Sequence, residues 1–256
     1  MDLSFNPKEA ADYKSRSQKA RRLTESWMEQ NMFCPVCGQP HLGHYPNNRP
    51  VADFYCPNCA SDFELKSRET GSNKLAEKVS DGAYDTMIAR IQSCRNPHFF
   101  FLNYASNAVM DLWLVPNLFF TPAIIEMRKP LRETARRAGW TGCNILLDPI
   151  PDCGKIRIIK NAQVVPKEIV CANYKRTAVL FTENLESRGW ALDVLACLER
   201  IPSDEFSLKD VYAFAEELQR KHPDNMFIQA KIRQQLQFLR DRGYLAFLGR
   251  GRYRKQ

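Results

Sequence analysis

Five stretches in the first two thirds of the chain carry the apolar and polar patterns that predict β-strands: Val51–Tyr55, Asp62–Ser67, His98–Tyr104, Asp111–Val115 and Ile156–Ile159. In the second stretch the two kinds of residue alternate, so Phe63 and Leu65 fall on one face while Glu64 and Lys66 fall on the other. The third and fourth stretches are apolar and aromatic, which is typical of buried strands. The pattern therefore predicts a sheet with a polar strand face near residue 65.

Apolar residues recur at helical spacing in two segments of the first two thirds of the chain. The first segment runs from Pro7 to about Gln30, and the second runs from Ala83 to Ser93. We expect Asp81 to act as the N-cap of the second helix. Helices mixed with strands in this order predict an α/β sandwich.

The pattern changes near Leu185, where helices dominate. Helices are predicted from Ser187 to about Arg200, from the N-cap Ser207 through Leu218, and from about Met226 to Arg242. Two short strands follow, Tyr244–Leu248 and Arg252–Arg254, joined by a glycine turn. Three helices and a two-stranded ribbon are the layout of a winged helix. We therefore predict one domain over residues 1–182 and a winged-helix domain over residues 183–256.

The formal net charge of +8 is concentrated at the end of the chain of 256 residues. From Arg220 onward there are ten Lys or Arg residues against two acids, whereas residues 1–219 balance at 27 against 27. A basic block on a folded segment is the electrostatic footprint of a polyanion-binding site. The alternative is a solvated basic tail that aids solubility.

The composition indicates a soluble globular protein, since 44% of the residues are hydrophobic and 26% are charged. The chain does not open with a basic segment followed by an apolar run. No stretch approaches the ~18 consecutive apolar residues of a membrane span, so we expect neither a secretory signal nor a membrane span. Five of the nine cysteines are scattered singly, which fits a reducing cytosol better than a disulfide framework. A cytoplasmic protein is expected.

The remaining cysteines form two Cys-x-x-Cys pairs, Cys34 with Cys37 and Cys56 with Cys59. Each pair lets two thiolates reach one ion about 2.3 Å away, and two pairs complete a tetrahedron. The 18 residues between the pairs are within the usual range for a four-cysteine zinc site. Four protein ligands leave no open position, so the pattern predicts a structural Zn²⁺. Unligated core cysteines are the alternative.

Asp53 and the run Glu64-Leu65-Lys66 have the spacing of the PD-(D/E)xK nuclease core. Phosphodiester hydrolysis needs the phosphoryl charge neutralised and hydroxide formed near neutral pH, and a divalent cation held by carboxylates does both. Mg²⁺ prefers oxygen ligands, so Asp53 and Glu64 are predicted to bind it, with the Leu65 carbonyl as a third ligand. Lys66 is predicted to orient the attacking water. Ala52 departs from the proline that usually precedes the Asp, and a polar strand face without chemistry is the alternative.

The third C-terminal helix has an apolar face and a polar face. Its apolar face comprises Ile228, Ile232, Leu236 and Leu239. Its polar side carries Arg233, Gln234 and Gln237, flanked by Lys231 and Arg240. Gln can bond bidentately to adenine and Arg to guanine in the major groove. The basic residues of the following ribbon are suited to phosphates, and they are Arg250, Arg252, Arg254 and Lys255. A polar surface helix is the alternative reading.

The run Arg136-Arg137-Ala138-Gly139-Trp140 is a further candidate DNA contact. Arginines beside a tryptophan can grip a backbone while the ring stacks on bases or wedges between them. A core Trp140 with two solvated arginines, Arg136 and Arg137, is the alternative.

Together these segments resemble the DpnI family of methyl-directed type II (type IIM) restriction endonucleases. The likeness runs nearly end to end and is carried by Ser17–Arg21, Asn47–Cys56, Phe63–Ser67, Asp81–Tyr84, Arg136–Trp140 and Lys231–Gln237. It implies an N-terminal PD-(D/E)xK domain with a zinc site and a C-terminal winged helix, both reading modified DNA. It also implies cleavage of double-stranded GATC sites with N6-methyladenine, between the methylated A and the T, leaving blunt ends.

The resemblance also assigns roles to residues. The family's catalytic Asp, Glu and Lys correspond to Asp53, Glu64 and Lys66, and its zinc ligands to Cys34, Cys37, Cys56 and Cys59. Trp140 is the Trp of its Arg-Arg-Ala-Gly-Trp motif, and we expect it to form one wall of an apolar pocket for the methyl group. A monomer without an obligate protein partner is expected. The alternatives are a non-catalytic zinc-ribbon and winged-helix DNA-binding regulator, or a nuclease of other specificity.

Overall fold

The computed structural model describes residues 1–46 and 52–256. The chain divides into two compact units. The first comprises Met1–Asp148 and Cys153–Ala178, and the second comprises Pro149–Asp152 and Val179–Gln256. Asn47–Val51, which contribute to the family resemblance and to the first predicted strand, lie outside the described residues.

The first unit mixes helices and strands. Its helices are α1 (Arg16–Asn31), α2 (Tyr84–Gln92) and α3 (Lys167–Ala178). Its strands are β1 (Gly43–His44), β2 (Phe54–Tyr55), β3 (Asp62–Glu69), β4 (Lys78–Ala83), β5 (His98–Ala105), β6 (Ala108–Val115), β7 (Ile125–Met127), β8 (Gly142–Leu146), β9 (Ile156–Lys160) and β10 (Gln163–Val164). Short 3-10 turns occupy Pro7–Ala10, Asn117–Phe119 and Pro122–Ile124, and a fourth, Asp152–Gly154, begins at the last residue of a second-unit segment.

Two sheets organise these strands. The larger runs in the order β1-β2-β3-β5-β6-β9-β10, with β3 and β5 parallel and the other neighbours antiparallel. The smaller runs in the order β4-β8-β7 and is antiparallel. The mixed α/β prediction for this part of the chain is therefore confirmed.

A buried aromatic cluster supports β3 from one side. Phe54, Phe63 and Phe100 are fully buried, and the Phe63 and Phe100 rings stack with their centroids 5.1 Å apart. Trp27 and Met28 of α1 belong to the same core. Burial of each such side chain contributes roughly 1.5–3 kcal/mol to folding. Because side chains alternate along β3, this core fixes the opposite face, where Glu64 and Lys66 are half-buried.

Two predictions in the first unit are wrong. Asp81 does not cap a helix: it lies in β4, and the N-cap of α2 is Ala83. The first helix is also interrupted, because Pro7–Ala10 forms a separate 3-10 turn capped by the Asn6 side chain. Helix α1 starts only after Ser15, whose extended backbone separates it from that turn.

The second unit is a winged helix. Its elements are α4 (Leu185–Glu199), β11 (Glu205–Ser207), α5 (Leu208–Tyr212), α6 (Ala215–Lys221), α7 (Ile228–Asp241), β12 (Leu245–Gly249) and β13 (Arg252–Lys255). The predicted cap at Ser207 is confirmed, since Ser207 and Asp210 form a capping box. The predicted second helix is broken into α5 and α6, with Phe214 as the N-cap of α6. The predicted ribbon gains β11 as a neighbour of β13.

Candidate active site and zinc centre

The four predicted cysteine ligands converge at one point. The Sγ atoms of Cys34 and Cys59 are 3.7 Å apart, those of Cys37 and Cys56 are 3.5 Å apart, and all four lie within 4.8 Å of one another. A tetrahedral zinc site with ~2.3 Å bonds places its sulfurs about 3.8 Å apart, so the cluster has the dimensions to hold zinc.

Two similar turns bring the thiols together. In the first, the Gly38 N–H donates to the Cys34 carbonyl at 2.8 Å, and in the second the Ala60 N–H donates to the Cys56 carbonyl at 3.0 Å. Gly38 and Ala60 each follow the second cysteine of a pair, and both have a left-handed backbone, with φ of 79° and 56°. Equivalent turns present each pair of thiols to a shared centre.

The thiols of the cluster differ in acidity. Burial raises the pKa of Cys34 and of Cys56. Burial also disfavours the thiolate of Cys37, but hydrogen bonds from the Asn58 side chain, the Gln39 backbone and neighbouring thiols outweigh it and lower the pKa of Cys37 to about 6. Binding of a metal cation therefore has to displace protons from the buried members of the cluster.

The same hairpin places the predicted carboxylates. Strand β2 pairs with β3 through Phe54 and Phe63, so Asp53, immediately before β2, lies across from the middle of β3. The Leu65 N–H donates to Asp53 Oδ2 at 2.8 Å, and the Asp53 N–H donates to the Phe63 carbonyl at 3.0 Å. Asp53 is thus fixed beside the Glu64-Leu65-Lys66 segment by its backbone and its side chain.

Glu64 and Lys66 project from one face of β3 and form an ion pair. Lys66 Nζ lies 2.6 Å from Glu64 Oε1, and Arg90 of α2 lies 3.8 Å from Glu64 Oε2. Burial raises the pKa of Glu64, against the opposing effect of the Lys66 ammonium, while nearby Asp81 and Asp53 raise it further. For Lys66 burial favours the neutral amine, but Glu64 and Asp81 together raise its pKa.

Sequence reasoning missed Asp81 as a member of this group. Its Oδ1 lies 2.5 Å from Lys66 Nζ, and its side chain is only 7% exposed. Its sequence neighbourhood, Asp81-Gly82-Ala83, has the appearance of a helix start, and nothing in the spacing relates it to Lys66. Asp81 comes close to Lys66 only because β4, which carries it, pairs in the second sheet.

Helix α7 presents the two faces that its sequence predicts. Ile228, Ile232, Leu236 and Leu239 are buried, whereas Arg233, Gln234 and Gln237 are exposed. Arg233 donates to the Tyr212 hydroxyl at 2.8 Å. Lys231 is half-buried, with its Nζ 5.9 Å from the centre of the Trp190 ring, so its stem packs within the unit.

The basic residues of the ribbon have different surroundings. Arg252 and Arg254 are both ion-paired with Glu205 of β11, at 2.8 Å and 2.6 Å. Arg250 is exposed at the turn between β12 and β13, where its φ is 48°. One carboxylate thus neutralises part of the surface that is predicted to meet phosphates.

The arginine and tryptophan run lies between β7 and β8. Arg136 and Arg137 are exposed, and the Arg137 guanidinium lies 5.1 Å from the centre of the half-buried Trp140 ring. A Cβ at Gly142 would come within 2.9 Å of that ring, so the glycine lets the indole lie close to the start of β8. Trp140 is therefore a surface aromatic group rather than a core residue.

An α/β unit that brings Asp53 beside Glu64 and Lys66 of β3, in the same chain as a winged helix, has the arrangement expected of a DNA-cleaving enzyme. Two family models match the chain. One, the DpnI Dam-replacing family, covers residues 1–183, and the other, the Dam-replacing HTH domain, covers residues 186–255. The chain belongs to the DpnI, or Dam-replacing, family, and these matches support methyl-directed restriction.

In the described ranges, no helix is long and apolar enough to cross a membrane.

Proposed function

We propose that this chain is a type II restriction endonuclease that cleaves double-stranded DNA at GATC sites carrying N6-methyladenine. Cleavage falls between the methylated A and the T and leaves blunt ends. Family membership supports the methyl-directed class. The observation that carries the chemistry is the grouping of Asp53, Glu64 and Lys66 around one strand.

The donor set around β3 suits Mg²⁺. Asp53 and Glu64 offer carboxylate oxygens and Leu65 a backbone carbonyl, which are the hard oxygen ligands that Mg²⁺ prefers. Bound there, Mg²⁺ would neutralise phosphoryl charge and lower the pKa of a coordinated water. The Leu65 N–H keeps the Asp53 carboxylate turned toward β3, and the Lys66 ammonium is placed to orient the water and balance the phosphate charge.

Zinc at Cys34, Cys37, Cys56 and Cys59 has a structural role in this proposal. Cys56 and Cys59 lie in the turn between β2 and β3, so closing the cluster fixes the hairpin that presents Asp53 and Glu64. A closed four-ligand site leaves no coordination position for a substrate. The zinc centre therefore supports the catalytic hairpin rather than acting on DNA.

DNA recognition is divided among three surfaces in the proposal. Arg233, Gln234 and Gln237 of α7 read base edges, with Lys231 flanking them, and Arg250 and Arg252 contact phosphates. Arg136 and Arg137 grip the backbone while Trp140 offers an apolar wall to the N6-methyl group.

The protein acts as a cytoplasmic monomer without an obligate protein partner, and it destroys methylated foreign DNA in a host that lacks the modification.

Digestion of two plasmid preparations tests this function. Plasmid from an adenine-methylating host and the same plasmid from a non-methylating host are incubated with the protein and Mg²⁺, and a chelator control is run beside each. The proposal predicts fragments at GATC spacing from the methylated plasmid alone. Binding without cutting of either would favour a zinc-ribbon and winged-helix regulator, and equal cutting of both would favour a nuclease of other specificity.

A further inference from the structure

Asp81 brings a carboxylate from the smaller sheet to the lysine of the larger one. Its Oδ1 is 2.5 Å from Lys66 Nζ, and the two side chains are 7% and 20% exposed. Strand β4, which carries Asp81, pairs with β8 and belongs to a different sheet from β3. The ion pair therefore joins the two sheets at the candidate active site.

An irregularity in β4 directs this side chain. The register places Asp81 opposite Cys143 and Ala83 opposite Gly142, so Gly82 has no partner of its own in the pairing. Such a bulge bends a strand and re-aims the side chains beside it, and bulges are common next to active sites. The helical appearance of Asp81-Gly82-Ala83 in the sequence is explained by this break in the extended pattern.

The connection between β3 and β4 is also held in place. The Asn103 side-chain amide donates to the carbonyls of Ser72 and Lys74 at 3.1 Å and 3.0 Å. Arg68 donates to the Lys74 carbonyl at 2.9 Å and to Asn103 Oδ1 at 3.0 Å. Hydrogen bonds from β3 and β5 thus fix the segment that leads to Asp81.

Lys66 has two anionic partners with different duties. Glu64, at 2.6 Å, is the carboxylate proposed to hold the catalytic cation, and Arg90 lies 3.8 Å from its other oxygen, so Lys66 shares Glu64 with other positive charges. Asp81 is not among the proposed metal ligands, and it approaches Lys66 from the other sheet. A long flexible amine held on one side only would have several rotamers, whereas a second fixed carboxylate selects one.

We propose that Asp81 is a positioning residue, which holds the Lys66 ammonium beside Glu64 in the geometry used for cleavage. The inference rests on the proposed nuclease function for its catalytic consequence, but the ion pair can be tested without DNA or metal. The matched control is Asp85→Asn, which makes the same chemical change at an exposed residue of α2.

The first test follows the Lys66 ammonium directly in ¹⁵N-labelled, full-length protein. Ammonium protons are visible by NMR when ion pairing slows their exchange, and Lys66→Met identifies the signal by its loss. We expect the signal in the unmodified protein and in Asp85→Asn, and its loss or a clear shift in Asp81→Asn. An unchanged signal in Asp81→Asn overturns the proposal, whether or not the protein cuts DNA.

The second test measures single-turnover cleavage and DNA affinity. We expect Asp81→Asn to slow cleavage about 10- to 100-fold with affinity unchanged, and Asp81→Glu to restore part of the rate. In a Lys66→Met background Asp81→Asn should have no further effect, since two residues in one interaction are not additive. A full additional loss would assign Asp81 an independent role and overturn the positioning role. If the unmodified protein does not cut DNA, the nuclease proposal is wrong. The NMR result would still show whether Asp81 holds the Lys66 ammonium.

Discussion

At the scale of single residues, burial and charged neighbours together set the charge at the candidate active site. Burial raises the pKa of Glu64, and the Lys66 ammonium is the main opposing influence. Glu64 and Asp81 in turn keep Lys66 protonated in spite of its burial. The Lys66 ammonium stabilises the charged form of Glu64, whereas Asp81 disfavours it, so removal of one charge changes the state of the rest.

Asp53→Asn isolates the charge of the first carboxylate. The amide keeps the size of the side chain and an oxygen that can accept from the Leu65 N–H, so the hairpin should fold. We expect cleavage to fall by about 100-fold or more, because several kcal/mol of cation-dependent stabilisation is lost. Binding to methylated duplex should persist in a mobility-shift assay.

The control for this substitution is Glu69→Gln, which removes one negative charge from an exposed position on the same strand. It should cleave at the unmodified rate. Wild-type cleavage by Asp53→Asn would show that Asp53 is not a metal ligand, and loss of folding would show that its role is structural.

Zinc uptake should depend on pH. The pKa values of Cys34 and Cys56 are raised, so both bind as thiolates only after losing protons, and affinity should increase as pH rises. The pKa of Cys37 is about 6, so at neutral pH Cys37 is already mostly a thiolate. Below its pKa it too must lose a proton to bind zinc, so the zinc affinity should fall more steeply there. Competition with a chelator at several pH values measures both effects.

Cys56→Ser should lower zinc content from about one equivalent and destabilise the first unit, since one of four ligands is gone. Cys94→Ser is the comparison, because Cys94 lies outside the cluster. Zinc affinity that does not change with pH, or stable metal-free protein, would contradict the zinc assignment.

The residue-scale features differ in how far the sequence predicts them. The four cysteines could be placed together from spacing alone, because two Cys-x-x-Cys turns have few other uses. Asp53, Glu64 and Lys66 follow a recognisable order along one hairpin. Asp81 reaches Lys66 from another sheet, and no local pattern encodes a contact that depends on the packing of two sheets.

At the scale of elements, the ribbon of the winged helix contains its own counter-charge. Glu205 of β11 pairs with Arg252 and Arg254 across the β11–β13 ladder. A phosphate backbone approaching this ribbon competes with Glu205 for the same guanidinium groups. We therefore expect the carboxylate to limit the strength of sequence-independent binding.

Glu205→Gln should strengthen binding to any duplex. With two arginines released, we expect affinity at low salt to rise severalfold, and log K to depend more steeply on log salt by about 1–2. Glu186→Gln makes the same charge change in α4, outside the ribbon, and should have a smaller effect. Fluorescence anisotropy across a salt series measures the slopes, and equal slopes for the two variants would contradict the role of Glu205.

Element prediction succeeded where periodicity was strong. The apolar face of α7 and the ribbon after Gly243 are confirmed, because their patterns are long and regular. The smaller sheet could not be predicted, since β4 alternates between exposed and half-buried positions and β7 has only three residues. For the same reason β11, also three residues long, carried no usable pattern.

At the scale of the whole molecule, the two kinds of chemistry belong to different units. The cysteine cluster and the Asp53–Lys66 hairpin lie in the first unit, and the basic excess after Arg220 lies in the second. The family matches meet in the same region of the chain, ending at residue 183 and resuming at 186. We propose domains of residues 1–182 and 183–256 on this basis. In the proposed function, methyl-dependent cutting needs both the DNA-reading surfaces and the hairpin.

Single-turnover cleavage of one defined duplex tests the central claim most directly. Two duplexes are compared with Mg²⁺ present, identical except that the adenines of a single GATC carry N6-methyl groups in one of them, with Asp53→Asn as the control variant. The account predicts rapid cleavage of the methylated duplex alone, at the A–T step of both strands, and cleavage by the variant that is slower by about 100-fold or more. Equal cleavage of the two duplexes, or cleavage by Asp53→Asn at the unmodified rate, would contradict it.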